Sequence, residues 1–256
     1  NSIEHFTSHE NLKKFYDYLD INKYEYPDGL EMDLEMLSAD LDKGLYLDSN
    51  IPQGYGVGSS GVLVASVFGA YTKKHPVPWP DSNMVVLKKY FSFMESFFHG
   101  KSSGLDPLSC FMQKPLLVSS PGKIEIVKFP PENIDCLFDI FLLDTGLTSK
   151  TEGGVQRFLE KSKNSNFKEV LESTIIPGNN HCIDTILNGK IMKFLDELRV
   201  FSGLQLKYFS EMIPGQFKNL WENGIQTGDY SLKLCGSGAG GFILGFTPDI
   251  KKVGEF

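Results

Sequence analysis

Residues Ile51 to Gly61 read IPQGYGVGSSG and run straight into an apolar stretch, Val62 to Tyr71. Glycines on alternate positions, Gly54, Gly56 and Gly58, disfavour regular structure there and instead permit positive φ and close backbone approach to a ligand. The chain therefore turns openly and enters a helix near Ser60 that runs to about Tyr71. A helix that begins at the serines aims unpartnered N–H groups and the positive end of its dipole back at the turn. By composition the segment is a phosphate cradle.

Bulk properties narrow what such a cradle can serve. The chain has 256 residues and a formal net charge of −7, which argues against nucleic acid as a partner. Arg157 and Arg199 are its only arginines, so phosphate would be held by main chain, lysine and a metal ion. The four cysteines, Cys110, Cys136, Cys182 and Cys235, form no CxxC pair and suggest neither a disulfide framework nor a zinc site. No apolar run nears the roughly 20 residues a membrane span requires, and NSIEHFTSHE lacks the features of a signal peptide. The expectation is a cytoplasmic protein with no membrane partner.

Leu12 to Leu19 reads as a short helix, Asp28 to Lys43 as a connection with modest structure of its own, and Gly44 to Ser49 as a short strand leading to the glycine turn. The prolines of HPVPWP end the helix that follows the turn. Asp81 or Ser82 caps a longer helix toward His99, with Val85, Val86, Tyr90, Phe93, Met94 and Phe97 near the helical period. Asp106 before Pro107 reads as N-cap and first helical residue. Pro115 to Ser119 and Lys123 to Phe129 read as strands joined by a turn, and Leu137 to Leu143 as a strand of a buried sheet. Gly153 to Ile225 is mainly helical, and the strands Ser231 to Cys235 and Phe242 to Phe246 flank CGSGAGG. Pro130 and Pro131 mark the boundary between two domains, 1–131 and 132–256.

Rival glycine motifs fail on spacing. For a Walker A loop ending in Gly100, Lys101 and Ser102, the first glycine falls at Glu95. Gly54, Gly56 and Gly58 do not have the Rossmann spacing. A nucleophile elbow fails at Ser59 and at Ser60. Taken singly, the remaining segments also have plain structural readings: a glycine turn, a capping Asp106, a solvated Glu95, and a helix end at His99. Their occurrence in order is what points to chemistry.

Together, three segments resemble the GHMP kinases. Pro52 to Gly61 fits the ATP loop P-x-x-G-x-G-S-S-A, with Gly61 where alanine is usual. Lys233 to Gly241, KLCGSGAGG, is similar to the third motif K-L-T-G-A-G-G-G-G. Glu95, His99, Gly100, Ser103, Gly104 and Asp106 match E-x-x-x-H-G-x-P-S-G-x-D of the mevalonate kinases, with Ser102 in place of proline. Asp144 to Val155 is similar to the segment that in mevalonate kinases brings a threonine, here Thr151, to the substrate.

The resemblance implies an α+β fold: an N-terminal half like ribosomal protein S5 domain 2 and a ferredoxin-like C-terminal half. It implies ATP and Mg2+ as cofactors and a mevalonate-like alcohol as substrate, with another GHMP substrate (phosphomevalonate, homoserine or a sugar) as the alternative. Homodimers are common in the superfamily. Asp106 would be catalytic, and Glu95 with Ser60 would hold the metal. Pro52, Gly54, Tyr55, Gly56, Val57, Gly58, Ser59, Ser60 and Gly238 would bind nucleotide. His99, Gly100, Ser103, Thr151 and Gly236 would face the substrate. These kinases also carry P-G-K-x-x-L-x-G-E-H, whose lysine assists the reaction. No such segment occurs in these residues, so the expectation is a longer natural chain, or else a catalytically silent nucleotide-binding member.

Overall fold

A computed structural model describes residues 2–25, 31–73, 84–119, 122–128, 138–148 and 151–253. The architecture is α+β, mixing helices with small antiparallel sheets. The chain divides into two compact units, Asn1–Pro52 with Gly58–Val127, and Gln53–Val57 with Lys128–Phe256.

The first unit packs five helices among its described residues: α1 (Ser2–Ile21), α2 (Leu34–Asp42), α3 (Ser59–Tyr71), α4 (Met84–His99) and α5 (Leu105–Met112). Strands β1 (Leu116–Ser119) and β2 (Lys123–Ile126) add an antiparallel hairpin, with Leu116 opposite Ile126. Leu12, Phe15 and Leu19 recur at helical spacing and bury one face of α1, while Val64, Val67, Phe68 and Tyr71 do the same for α3. The Phe68 ring lies 4.9 Å from that of Phe91 and 5.1 Å from that of Phe111, both edge-on, which fixes α3 against α4 and α5.

Two expectations are corrected in this unit. The acidic stretch has more structure than the modest amount expected: it holds α2, whose N-terminus is capped by Asp33 accepting from Met36 N–H at 3.0 Å, with Leu37 and Leu41 buried. Residues 44–49 form no strand; side chains of α1 take up the backbone of Leu45 and Leu47 instead. His9 Nδ1 donates to Leu45 O at 2.7 Å, and Ser8 Oγ lies 2.9 Å from Leu47 O and 2.8 Å from Leu47 N. The proposed caps Asp81 and Ser82 lie outside the described residues.

The second unit is built on a three-stranded antiparallel sheet in the order β3-β5-β4, from β3 (Asp139–Asp144), β4 (Ser231–Leu234) and β5 (Phe242–Thr247). Helices α6 (Thr151–Ser162), α7 (Ser165–Val170), α8 (Ile176–Leu187), α9 (Ile191–Tyr208) and α10 (Lys218–Thr227) supply the rest, with a π-helical stretch at Leu171–Ile175. Trp221, Leu232 and Ile243 are fully buried at its centre, and Trp221 Nε1 donates to Ser202 O at 3.2 Å. The strand expected to be buried, β3, pairs among the described residues with β5 alone and so lies at the sheet edge, with Ile140 and Leu142 exposed. No helix among the described residues is long and apolar enough to cross a membrane.

Candidate active site

Within the first unit, two stretches distant in sequence, 58–61 and 95–106, converge. Gly58 takes the left-handed conformation, φ +73°, and caps α3, so the first turn of that helix begins at Ser59 and Ser60. Gly58 has no side chain with which to cap this end, which suits an anion-binding helix start. Gly61 in the next position is buried against α5: a Cβ placed there would lie 2.9 Å from the Asp106 carbonyl carbon. A Cβ on Gly58 would lie 3.7 Å from Asp106 Cβ and 4.0 Å from its Oδ2. The carboxylate of Asp106 therefore stands beside the end of the glycine turn, and its residue is exposed.

Asp106 is not the N-cap expected of it. Helix α5 starts one residue earlier, at Leu105, and its cap is Gly104 at φ +72° with no side-chain cap hydrogen bond. The reason is steric. A Cβ on Gly104 would collide with Lys88 O and come within 2.6 Å of Ser92 N, so only glycine lets this loop press on the backbone of α4. Asp106 then falls in the first turn, where its carboxylate is not consumed in capping, and Pro107 occupies a position whose N–H has no intrahelical partner.

Glu95, on α4, is only 4% exposed. Burial of a carboxylate requires partners, and each of its oxygens accepts a hydroxyl: Ser60 Oγ donates to Oε1 at 3.0 Å, and Ser102 Oγ donates to Oε2. Motif reasoning gave Ser102 no role in the site, placing it in a failed Walker A match and as a replacement for proline. Its hydroxyl also accepts from Gly104 N–H at 2.9 Å, and its carbonyl accepts from Ser92 Oγ at 2.6 Å. Ser103 Oγ accepts from Leu105 N–H at 3.3 Å. Gly100, φ +70°, has open space where a Cβ would be. The side chain of His99 lies outside the described residues. Cys110, one turn beyond Asp106, has its thiol pKa raised, first by burial and then by the charges of Asp106 and Glu95.

Among the described residues no three His, Cys, Asp or Glu side chains cluster as a self-sufficient metal site. The Ser60 hydroxyl beside Glu95 Oε1 is nonetheless a hard-oxygen pair of the kind magnesium takes from protein when phosphate and water complete its shell. The donor set fits that ion.

In the second unit, Gln53–Val57 lies against the loop that joins β4 to β5. Tyr55 O accepts from Phe242 N–H at 3.1 Å, and the two rings are 5.1 Å apart. A Cβ on Gly56 would lie 3.6 Å from Cys235 O, and one on Gly236 3.7 Å from Gly56 Cα. Gly241, φ +71°, admits no Cβ because Tyr55 backbone fills the space. Thr145 holds the same glycine, its hydroxyl donating to Gly241 O at 2.6 Å. Gly238, φ +68°, packs on Met212 O, where a Cβ would be 2.9 Å away. Gly54 has φ +76°, and Val57 ends the segment. Pro52 belongs to the first unit. The side chain of Thr151, at the start of α6, lies outside the described residues.

Residues 22–114 match the family model of the GHMP kinases N terminal domain. The match spans α2 to α5 and so includes the Gly58, Ser60, Glu95 and Asp106 group. It supports the GHMP kinase superfamily and with it a small-molecule kinase, an enzyme class that in general uses ATP and typically Mg2+. A search of curated proteins finds no match to the chain.

Proposed function

We propose that this chain carries the ATP-dependent phosphorylation of a small alcohol, with mevalonate as the first substrate to test. The observation that carries the reading is the approach of the Asp106 carboxylate to Gly58, at the uncapped start of α3, with Glu95 and Ser60 in the same group. Support for mevalonate specifically is the motif match over Glu95 to Asp106, with Thr151 and Gly236 as further substrate contacts.

Phosphoryl transfer proceeds through a loose transition state, so the protein chiefly positions reactants and balances charge. Asp106 orients the substrate hydroxyl and accepts its proton; its exposure keeps it reachable by a bound alcohol. Backbone N–H groups from Gly54 to Ser60 hold the phosphates, aided by the dipole of α3. Glu95 and Ser60 hold magnesium, which when bound neutralises charge on the phosphate oxygens. His99, Gly100 and Ser103 line the alcohol side, and Gly238 supports the nucleotide loop. In this reading the chain is cytoplasmic, with domains at 1–131 and 132–256.

The test is ADP release by the full natural chain with Mg2+ and mevalonate, then with phosphomevalonate, homoserine and sugars. Turnover with one alcohol identifies the substrate. Absence of turnover with all of them, despite nucleotide binding, refutes the catalytic reading.

A further inference from the structure

We infer that Ser102 is a positioning residue that locks the proposed metal carboxylate, Glu95, to the loop proposed to contact the alcohol. This rests on the kinase reading above. The geometry requires a side-chain hydroxyl at this position. Gly104 N–H donates into Ser102 Oγ at 2.9 Å, which commits the hydroxyl's own proton to Glu95 Oε2. Ser92 Oγ, donating to Ser102 O at 2.6 Å, pins the loop to α4 from the other side. Proline, which the resemblance leads one to expect here, offers no hydroxyl to Oε2.

The consequence for the carboxylate is directional. Ser102 holds Oε2, so Oε1, which accepts from the Ser60 hydroxyl, is the oxygen turned toward the start of α3, where a cation would meet it. Because Glu95 is 4% exposed, water is not at hand to replace a lost partner. Hydrogen bonds therefore couple the loop at Ser102 to Gly104 with the proposed metal carboxylate. A displacement of the loop by a bound alcohol would be felt at the metal.

The test compares wild type with Ser102→Ala, Ser102→Thr, Glu95→Gln and the Glu95→Gln/Ser102→Ala double variant, all as full natural chains. The readout is the Mg2+ concentration that half-saturates binding of a non-hydrolysable ATP analogue, measured calorimetrically without turnover. Ser102→Ala is expected to raise it about 10-fold, as loss of an outer-shell partner does, and Ser102→Thr to restore it. In the Glu95→Gln background, Ser102→Ala is expected to add nothing. If wild type shows Mg2+-dependent nucleotide binding and Ser102→Ala matches it, the inference is overturned while the kinase reading stands. An undiminished effect of Ser102→Ala in the Glu95→Gln background also overturns it. If wild type binds no nucleotide with Mg2+, both fall together. Should the alanine variant be insoluble, Ser102→Cys keeps the volume with a weaker donor and carries the same comparison.

Discussion

Gly61 and Asp106 are in backbone contact: an added Cβ at position 61 would stand 2.9 Å from the Asp106 carbonyl carbon and 3.0 Å from its Cβ. Alanine is the usual residue at this point of the loop in the kinases the chain resembles, so the glycine and the close seating of α5 belong together. On propensity alone, Gly61→Ala in a helix would gain about 1 kcal/mol. Here the steric term opposes it, because the neighbour is backbone that cannot rotate aside, and overpacking of this kind costs about 1–3 kcal/mol. The variant is expected to be less stable in urea and to lose turnover as Asp106 is displaced. A higher unfolding midpoint than wild type would show that α5 is not held this tightly.

Asp106 offers a cleaner separation of chemistry from folding. Its side chain is exposed and caps no helix, so Asp106→Ala should change stability by no more than about 0.5 kcal/mol. Loss of a group that orients the hydroxyl and takes its proton should cut kcat by about 10²–10⁴. Nucleotide affinity should stay near that of wild type. Unchanged turnover would remove Asp106 from the reaction.

Glu95 makes the opposite case, since it is buried and bound at both oxygens. Glu95→Gln preserves shape and keeps one acceptor while deleting the charge. The Mg2+ requirement for turnover should rise by at least about 10-fold, a magnitude typical of perturbing a metal's protein ligands or their partners. An unaltered magnesium titration would exclude Glu95 from the metal shell.

What could be read from sequence, and what could not, divides along a physical line. Helix α3 and the strands β4 and β5 were legible because apolar runs next to glycines define them locally. The group formed by Gly58, Ser60, Glu95 and Asp106 was legible because each residue sits in a short ordered motif. The start of α5 was not. Choosing Gly104 over Asp106 as the cap depends on the α4 backbone at Lys88 and Ser92, which no local pattern reports. Residues 44–49 failed as a strand for a related reason: a strand needs a partner, and here Ser8 and His9 take up the backbone groups instead. Helix α2 had a signal that went unused, Asp33 ahead of Leu34, Leu37 and Leu41. Ser102 had one too, as the departure from proline, but its meaning required seeing Glu95 beside it.

Cys182 on α8 gives a prediction that concerns the second unit alone. Its thiol is buried, and burial pushes its pKa from 9.0 up to about 11, with the nearby charge of Glu197 adding to the effect. The folded state therefore keeps its proton at a pH where the unfolded chain has lost it. At this thiol the folded state holds its proton between about pH 9 and 11 where the unfolded chain does not, so its contribution to stability should fall across that window as pH rises. Below pH 9 the group should contribute no slope. Lysines and tyrosines also titrate there, so the measurement is the difference between wild type and Cys182→Ala in urea midpoints from pH 8 to 11. The two curves should converge as pH rises, because alanine has no proton to lose. Parallel curves across the window would show that the thiol's surroundings do not disfavour its ionised form. An independent check is alkylation at neutral pH, where native Cys182 should react far more slowly than in urea, because the thiolate is the reactive species.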